Sequence, residues 1–359
     1  MVEYEKRQWW VDYAKFIAIF LIVFVHLVHE QFGSVLESYG IIYNYLMFGS
    51  MFHVPVFFFV SGYLYKVISP KIALKKYFKR LFIPFIFFTV LGIVIYMAMK
   101  GYYTGDLLIP KLLNLLKASL ISKPNLFPMG NYTIWFLLAL FNVFIIFSLL
   151  KHYIKKDLLV LIPIILLNII LVIIKSFGIY LYLSLDSAIL GLTFFYGGYL
   201  FRKYNLIEFF KNNYINILLF LVFLGFALII FYLKSTFSMQ AATWSGNFLL
   251  AYIGAFSGIF MVVAISSILS KLKYKLIYLI SISTLTIMGL ERFLRNGFYV
   301  FWKGFVLNGY PIIGLFVITL LVLLSSVLAF KLLNKFCPEL IGNPKANSIS
   351  MKKAHKGND

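Results

Sequence analysis

Long apolar stretches recur along the whole chain and alternate with short polar segments. A helix needs about 20 apolar residues to cross a bilayer, so each stretch predicts a transmembrane helix. The predicted helices cover residues 11–29, 41–65, 81–99, 133–150, 158–175, 184–201, 214–233, 248–270, 276–300 and 311–333. The pattern therefore predicts an all-α polytopic membrane protein with about ten transmembrane helices.

Composition agrees with a membrane protein and narrows its architecture. Of the 359 residues, 62% are hydrophobic and 19% aromatic. The mean hydropathy of +0.93 lies far outside the range of soluble domains. We find no internal repeat, so we predict one integral-membrane domain over residues 1–337 and a short, polar, disordered tail over residues 338–359. The single cysteine, Cys337, excludes an internal disulfide framework and a cysteine-rich metal site.

The distribution of basic residues predicts how the helices are oriented. A net charge of +21 would suggest nucleic acid as the partner of a soluble protein, but here the Lys and Arg residues concentrate in alternate loops. Residues 66–80 hold six of them and no acid, whereas residues 30–40 hold two glutamates and no base. By the positive-inside rule both termini are cytoplasmic. We therefore expect a lipid bilayer, and no nucleic acid, as a partner.

The long loop over residues 100–131 opposes this orientation locally, because it lies on the predicted outer side and carries four lysines against one acid. Apolar residues between Leu112 and Ile121 predict a short helix there at the membrane interface. Because the loop leads to Trp135, it is also a candidate wall of a substrate entrance.

The first predicted helix carries the residues that are hardest to explain by packing. Asp12, Lys15, His26 and His29 interrupt an apolar run, although a charge at the centre of a bilayer costs roughly 3 kcal/mol or more. Their spacing places all four side chains on one stripe of the helix. Lys15 and His26 are then roughly 16 Å apart along the helix axis. They point the same way but cannot contact each other.

His26 is the candidate catalytic base, because histidine exchanges protons near neutral pH. A neutral histidine that hydrogen-bonds a neighbouring helix is the competing interpretation. His53 precedes Pro55, whose missing N–H predicts a helix kink beside a buried histidine. Asp12 and Lys15 share the helix face of His26, yet their i, i+3 spacing is equally compatible with a simple ion pair.

Lys79 and Arg80 belong to a dense basic cluster at the start of the third predicted helix. Such a cluster is typical of a helix end anchored to anionic lipid. It is also suited to holding the phosphates of a cosubstrate that arrives from the cytosol. Both interpretations stay open at this point.

Three residues of the outer half are candidates for substrate binding. Trp135 begins the fourth predicted helix, where an aromatic belt at the membrane interface is the alternative. Glu291 and Arg292 interrupt an apolar window. Because Arg295 lies at i, i+4 from Glu291, an ion pair within the helix competes with a role in lining a cavity.

Four motifs in order resemble the integral-membrane acyltransferase family 3, which includes the O-acetyltransferases of bacterial envelope glycans. Lys15 followed by His26 is similar to the first motif, in which many members carry arginine at the basic position. The run from Phe52 to Tyr63 resembles the second motif, residues 79–84 the third, and residues 135–137 the fourth. The resemblance covers nearly the whole chain.

The resemblance implies an O-acyltransferase of the plasma (inner) membrane that transfers acyl groups other than aminoacyl groups. An acyl group, most simply acetyl, passes from cytosolic acetyl-CoA or another acyl-CoA to a sugar hydroxyl, and no metal is expected. Many members carry a late histidine near residues 283–285, where this chain has Glu291 instead. Together with the residues argued above, the candidates are catalytic His26, Asp12 and His53, CoA-binding Lys15, Lys79 and Arg80, and substrate-binding Trp135, Glu291 and Arg292.

A transporter or flippase of glycan precursors or small solutes is the alternative function, because buried charge also marks translocation paths. Transporters commonly show inverted or parallel repeats, and we detect none. The chain also lacks a phosphate-binding glycine loop, a zincin histidine pair and a nucleophile elbow. The catalytic classes that depend on those motifs are therefore excluded.

Overall fold

The computed structural model describes residues 7–32, 41–99, 132–307 and 311–343, which are mainly helical. The α-helices are α1 Trp9–Glu30, α2 Ile41–Leu46, α3 His53–Tyr63, α4 Pro70–Tyr77, α5 Ile83–Met99, α6 Trp135–Tyr153, α7 Leu161–Ser176, α8 Leu185–Lys203, α9 Asn213–Tyr232, α10 Phe248–Leu269, α11 Lys275–Ile282, α12 Thr284–Leu307 and α13 Pro311–Phe336. The strands are β1 Phe237–Ser238 and β2 Thr243–Trp244. Short 3-10 helices cover Phe48–Met51, Tyr132–Ile134, Asp157–Val160, Leu206–Phe210, Ser270–Leu272 and Pro338–Ile341, and a π-helix covers Phe78–Phe82.

The helices confirm a polytopic membrane protein. Within the described ranges, seven helices are long and apolar enough to cross a membrane, and the pair α11 and α12, bent by 81°, adds an eighth if it counts as one span. All ten predicted windows contain helix. The count of ten spans and the cytoplasmic position of both termini stay predictions.

The second predicted window is broken rather than kinked. It contains α2, the 3-10 helix Phe48–Met51 and α3, and the backbone of Phe52 leaves helical geometry at φ −134°. Pro55 is the third residue of α3, where a helix needs no donated N–H. The interruption therefore comes before the proline, and it makes His53 the first residue of a helix.

The central helix is α1, because it packs against helices from both halves of the chain. Its neighbours are α3, α10, α11, α12 and α13. Beside it, α3 and α8 approach until their backbones touch: a Cβ on Gly62 would lie 1.8 Å from the carbonyl oxygen of Phe195. Only glycine permits this approach. On the polar stripe of α1, Asp12 is buried, Lys15 and His26 are half-buried, and His29 is exposed.

Two features fall outside the predicted pattern. The strands β1 and β2 form an antiparallel hairpin between α9 and α10, with Phe237 opposite Trp244. The 3-10 helix Pro338–Ile341 continues the ordered chain past residue 337, and Pro338 and Ile341 are buried. Residues 344–359 of the tail, and the helix predicted between Leu112 and Ile121, lie outside the described residues.

Candidate active site

Two cavities lie at opposite ends of α1. The histidine cavity, near the carboxyl end, has a volume of about 690 Å³. Its walls include His26, His53, Trp135 and Arg292. The basic pocket, near the amino end, has a volume of about 370 Å³. Its walls include Arg7, Asp12, Lys15, Lys66 and Arg202. One stripe of α1 therefore supplies polar side chains to both cavities.

His26 lines the histidine cavity and forms a dyad with Glu291, which does not itself line the cavity. The His26 Nδ1 atom lies 2.9 Å from Glu291 Oε1. Because a carboxylate accepts and does not donate, Nδ1 carries the hydrogen, and Nε2 of the neutral ring keeps its lone pair. The His26 side chain is 25% exposed, whereas Glu291 is completely buried. A fixed tautomer whose Nε2 carries no hydrogen, on a side chain that is partly exposed, is the arrangement that a general base requires.

Arg295 fixes the carboxylate of this dyad. Its Nε donates to Glu291 Oε2 over 3.1 Å, and the guanidinium is completely buried. Its Nη1 donates to the backbone carbonyl of His26 and to Gln31 Oε1, and its Nη2 reaches Glu30. The i, i+4 ion pair that the sequence allowed therefore exists. It also holds the carboxyl end of α1 against α12.

His53 is the second histidine of the cavity. Its ring centroid lies 6.5 Å from that of His26, and the two rings are nearly perpendicular. His53 Nδ1 donates to the carbonyl oxygen of Gly49 over 2.8 Å. The single N–H of the neutral ring is therefore on Nδ1, and Nε2 carries no hydrogen. The break before α3 places His53 here, where its ring reaches the carbonyl oxygen of Gly49, which also accepts from the Phe52 amide over 3.3 Å.

Trp135 and Arg292 complete the predicted substrate side. Trp135, the first residue of α6, is only 7% exposed and lines the cavity. It is therefore part of the cavity wall, whereas an aromatic belt faces lipid. Arg292 follows Glu291 on α12 and also lines the cavity. Among the described residues, no group of three His, Cys, Asp or Glu side chains is placed to hold a metal ion.

Asp12 belongs to the basic pocket and does not reach His26. Arg7 donates to both carboxylate oxygens, from Nε over 2.5 Å and from Nη2 over 2.7 Å. Ser281, at the end of α11, donates to Asp12 Oδ1 over 2.5 Å. The carboxylate therefore pairs with Arg7 rather than with Lys15 as the i, i+3 spacing allowed. The carboxylate that meets His26 is Glu291.

Lys15 lies in the basic pocket beside cations from two other segments. In the described part of the chain, its ammonium makes no ion pair or hydrogen bond. Lys66 follows α3, and Arg202 near the end of α8 donates to the carbonyl of Tyr63 over 3.3 Å. With Arg7, these side chains form a concave, positively charged surface that suits an anionic ligand.

Lys79 and Arg80 lie in the π-helix Phe78–Phe82 and do not line the basic pocket. Lys79 is exposed and Arg80 is half-buried. The backbone at Arg80 packs closely against Gly342, since a Cβ on that glycine would lie 2.4 Å from the Arg80 carbonyl oxygen. The structure therefore does not bring Lys79 and Arg80 together with Lys15. Their role in binding CoA stays a prediction.

Four residues that the structure places at these sites, Arg7, Lys66, Arg202 and Arg295, were not among the predicted site residues. Arg7, Lys66 and Arg202 each flank an apolar window on the predicted cytoplasmic side, and that common side was an available signal. Arg295 was recognised as the partner of Glu291, but its bonds to α1 join residues more than 260 positions apart. No local pattern contains that contact.

Comparison with known proteins found one match. The family model for acyltransferase family 3, described as an acyltransferase domain, matches residues 8–332. The matched range includes both cavities and every candidate residue named above except Arg7. A search of the curated proteins and a search of the solved structures each found no match.

Proposed function

The chain belongs to acyltransferase family 3, and from that premise we propose the reaction that its two cavities serve. We propose that it moves an acyl group, most simply acetyl, from cytosolic acyl-CoA to a hydroxyl of a cell-surface polysaccharide or a lipid-linked glycan. The protein would act in the plasma (inner) membrane, as its multiple apolar helices allow. The observation that carries the proposal is the dyad that His26 forms with buried Glu291 at a cavity large enough for a sugar.

The dyad suits the proton transfer of an acyl transfer. His26 Nε2 accepts the proton of the acceptor hydroxyl as the hydroxyl oxygen attacks the thioester carbonyl carbon. The carbon–sulfur bond then breaks, and the proton on His26 passes to the departing thiolate. Glu291 stabilises the imidazolium between these steps and keeps the ring in its orientation. His53, 6.5 Å away, is placed to help position the acceptor.

The basic pocket suits the donor. CoA carries several phosphates, and Arg7, Lys15, Lys66 and Arg202 surround one concave space. The bidentate bond from Arg7 to Asp12 orients that guanidinium while its charge stays beside the pocket. Arg202 is held by the carbonyl of Tyr63. Lys79 and Arg80, on the same predicted side, are proposed as further contacts.

The two cavities set the path of the acyl arm. Lys15 and His26 are roughly 16 Å apart along α1, and Ile19, on the stripe between them, is completely buried. An acyl arm that extends from the basic pocket toward His26 therefore has to displace side chains around Ile19. We propose that donor binding opens this passage, so that the thioester reaches the histidine cavity only on a bound CoA.

The proposal is tested in cells that lack the gene and carry it back as wild type or variant. We expect His26→Ala to lower acylation of the envelope glycans by about 10²-fold or more, as the loss of a general base does. The measurement is mass spectrometry of the isolated glycans, which also identifies the acyl group and the acceptor. His152→Ala is the matched control, because His152 is exposed at the end of α6.

Two results would overturn the proposal. Full glycan acylation in a correctly inserted His26→Ala protein would remove the catalytic role of His26. Unaltered acyl content in cells without the gene, together with altered export of glycan precursors, would favour the transporter alternative instead.

A further inference from the structure

We propose that the β1–β2 hairpin selects the acceptor, with Ser238 and Gln240 binding hydroxyl groups of the glycan beside the one that reacts. The inference rests on the proposed function, because it places the acceptor in the histidine cavity. It assigns a role to a segment that lies more than 200 positions from His26 in the sequence.

The hairpin forms part of the wall of the histidine cavity. Phe237, Ser238, Met239 and Gln240 all line it, as His26 does. Phe237 and Met239 are buried, whereas Ser238 is exposed and Gln240 is half-buried. Among the described residues, the hydroxyl of Ser238 and the side-chain amide of Gln240 have no hydrogen-bond partner. Two polar groups of the wall are therefore available to a ligand.

Three side chains of α7 and α8 fix the tip of the hairpin. Lys175 Nζ donates to the carbonyl oxygen of Ala241 over 3.1 Å and pairs with Asp186 Oδ2 over 2.7 Å. Both members of this ion pair are nearly buried, with side-chain exposures of 6% and 7%. Ser187 Oγ donates to the carbonyl of Gln240 over 3.1 Å. Lys175 and Ser187 hydrogen-bond only to backbone carbonyls of the hairpin, so they leave the Gln240 side chain without a hydrogen bond.

A second set of contacts fixes the base of the hairpin. Ser245 Oγ donates to the carbonyl of Lys234 over 2.6 Å, and the Asn247 amide donates to Ser235 Oγ over 3.0 Å. The Asn247 side chain then caps α10 through two backbone amides. Phe237 packs on Tyr252 with ring centroids 4.7 Å apart. A hairpin held at both ends presents Ser238 and Gln240 in fixed positions, which reduces the entropy lost on binding.

The available groups fit a neutral, hydroxyl-rich acceptor. A sugar hydroxyl both donates and accepts, and so do the serine hydroxyl and the glutamine amide. The aromatic rings of Phe237 and Trp135 add apolar surface on the same cavity. A site that hydrogen-bonds hydroxyl groups rejects an analogue that lacks them, because the polar groups of the wall are then left unpaired. The hairpin is thus suited to discriminate between acceptors.

The test uses the full-length protein in lipid nanodiscs with acetyl-CoA as donor. The acceptor is the glycan isolated from cells that lack the gene. We expect Ser238→Ala and Gln240→Ala each to raise the KM for the glycan about 3- to 10-fold, as the loss of one hydrogen bond does. The KM for acetyl-CoA should stay unchanged. Thr243→Ala is the matched control, because Thr243 pairs with Ser238 across the hairpin and does not line the cavity.

Lys175 is tested as a positioning residue. Lys175→Met should raise the KM for the glycan while leaving the KM for acetyl-CoA unchanged, and Lys175→Arg should restore part of the loss. The double variant Lys175→Met, Asp186→Asn removes both charges, so it controls for an unpaired buried carboxylate. A thermal unfolding midpoint measured for each variant identifies any loss of folding.

The outcomes separate this inference from the proposed function. An inactive His26→Ala protein, together with an unchanged glycan KM in Ser238→Ala and Gln240→Ala, would overturn the role of the hairpin and keep the reaction. An equal rise of both KM values in those variants would also overturn it. If wild type transfers no acetyl group to the glycan, the proposed function fails and the inference fails with it.

Discussion

The histidine cavity and the basic pocket use the same pair of residue types for different purposes. In each, a buried carboxylate meets an arginine: Glu291 meets Arg295, and Asp12 meets Arg7. Glu291 keeps one oxygen for His26, whereas both oxygens of Asp12 bond to Arg7. One carboxylate therefore orients a base, and the other orients a cation. The difference lies in the second partner of each carboxylate, which is His26 for Glu291 and Ser281 for Asp12.

The bent pair of α11 and α12 supplies partners to both sites. Ser281, in the last turn of α11, reaches Asp12, and Glu291, on α12, reaches His26. The 81° bend lies between these two contacts. The bent pair therefore contacts α1 at Asp12 near one end and at His26 near the other, so each site has its own partner.

The largest effect that follows from the comparison is on the dyad. Glu291→Gln should lower kcat about 10²-fold or more, because an amide can donate to His26 Nδ1 and so stabilise the wrong tautomer. The KM for acyl-CoA should change little, since the basic pocket is remote. Steady-state release of CoA thiol in the presence of the glycan measures both constants. Glu208→Gln, at an exposed residue of the 3-10 helix Leu206–Phe210, is the control. A Glu291→Gln protein with the kcat of the wild type would contradict the account.

In the basic pocket we expect a smaller effect, which falls on the KM for acyl-CoA more than on kcat. Arg7→Ala should raise the KM for acyl-CoA about tenfold or more, because a charge-assisted contact to phosphate is lost. Asp12→Asn should have part of this effect, since it leaves Arg7 without its ion pair. The kcat should change less than the KM in both. Lys156→Ala, an exposed cation of the same predicted side, is the control, and a fall in kcat alone would count against the pocket.

The smallest effect is expected at Ser281. Ser281→Ala removes one of the three hydrogen bonds to Asp12, so we expect the KM for acyl-CoA to rise about 2- to 5-fold. The same assay detects it. A change in kcat larger than the change in KM would show that a substitution at Ser281 affects the dyad of His26 and Glu291 across the bend. The two sites would then not be independent.

The apolar pattern predicted most of the fold, because lipid-spanning helices are specified by length and hydropathy alone. It did not predict the break at Phe52 or the hairpin around Ser238. Phe52 is an apolar residue in a largely apolar stretch, and its non-helical φ shows only in the packed chain. The hairpin is too short, with two residues per strand, for alternation to be visible.

The polar residues of α1 could be predicted one by one, but their partners could not. The polar stripe of α1 identified His26, Lys15 and Asp12 because charge is rare in an apolar helix. The partner of each depends on contacts between segments more than 260 positions apart for Glu291 and Ser281. The sequence alone allowed Lys15 as the partner of Asp12, and the structure shows Arg7 and Ser281 as its partners instead.

The central claim is that His26 and Glu291 act as one unit, and a double-mutant cycle tests it most directly. The kcat is measured for wild type, His26→Ala, Glu291→Gln and the double variant in the same nanodiscs. If Glu291 acts through His26, the double variant has the kcat of His26→Ala within about twofold, because residues that work as a unit are not additive. A double variant whose loss equals the product of the two single losses would contradict the account.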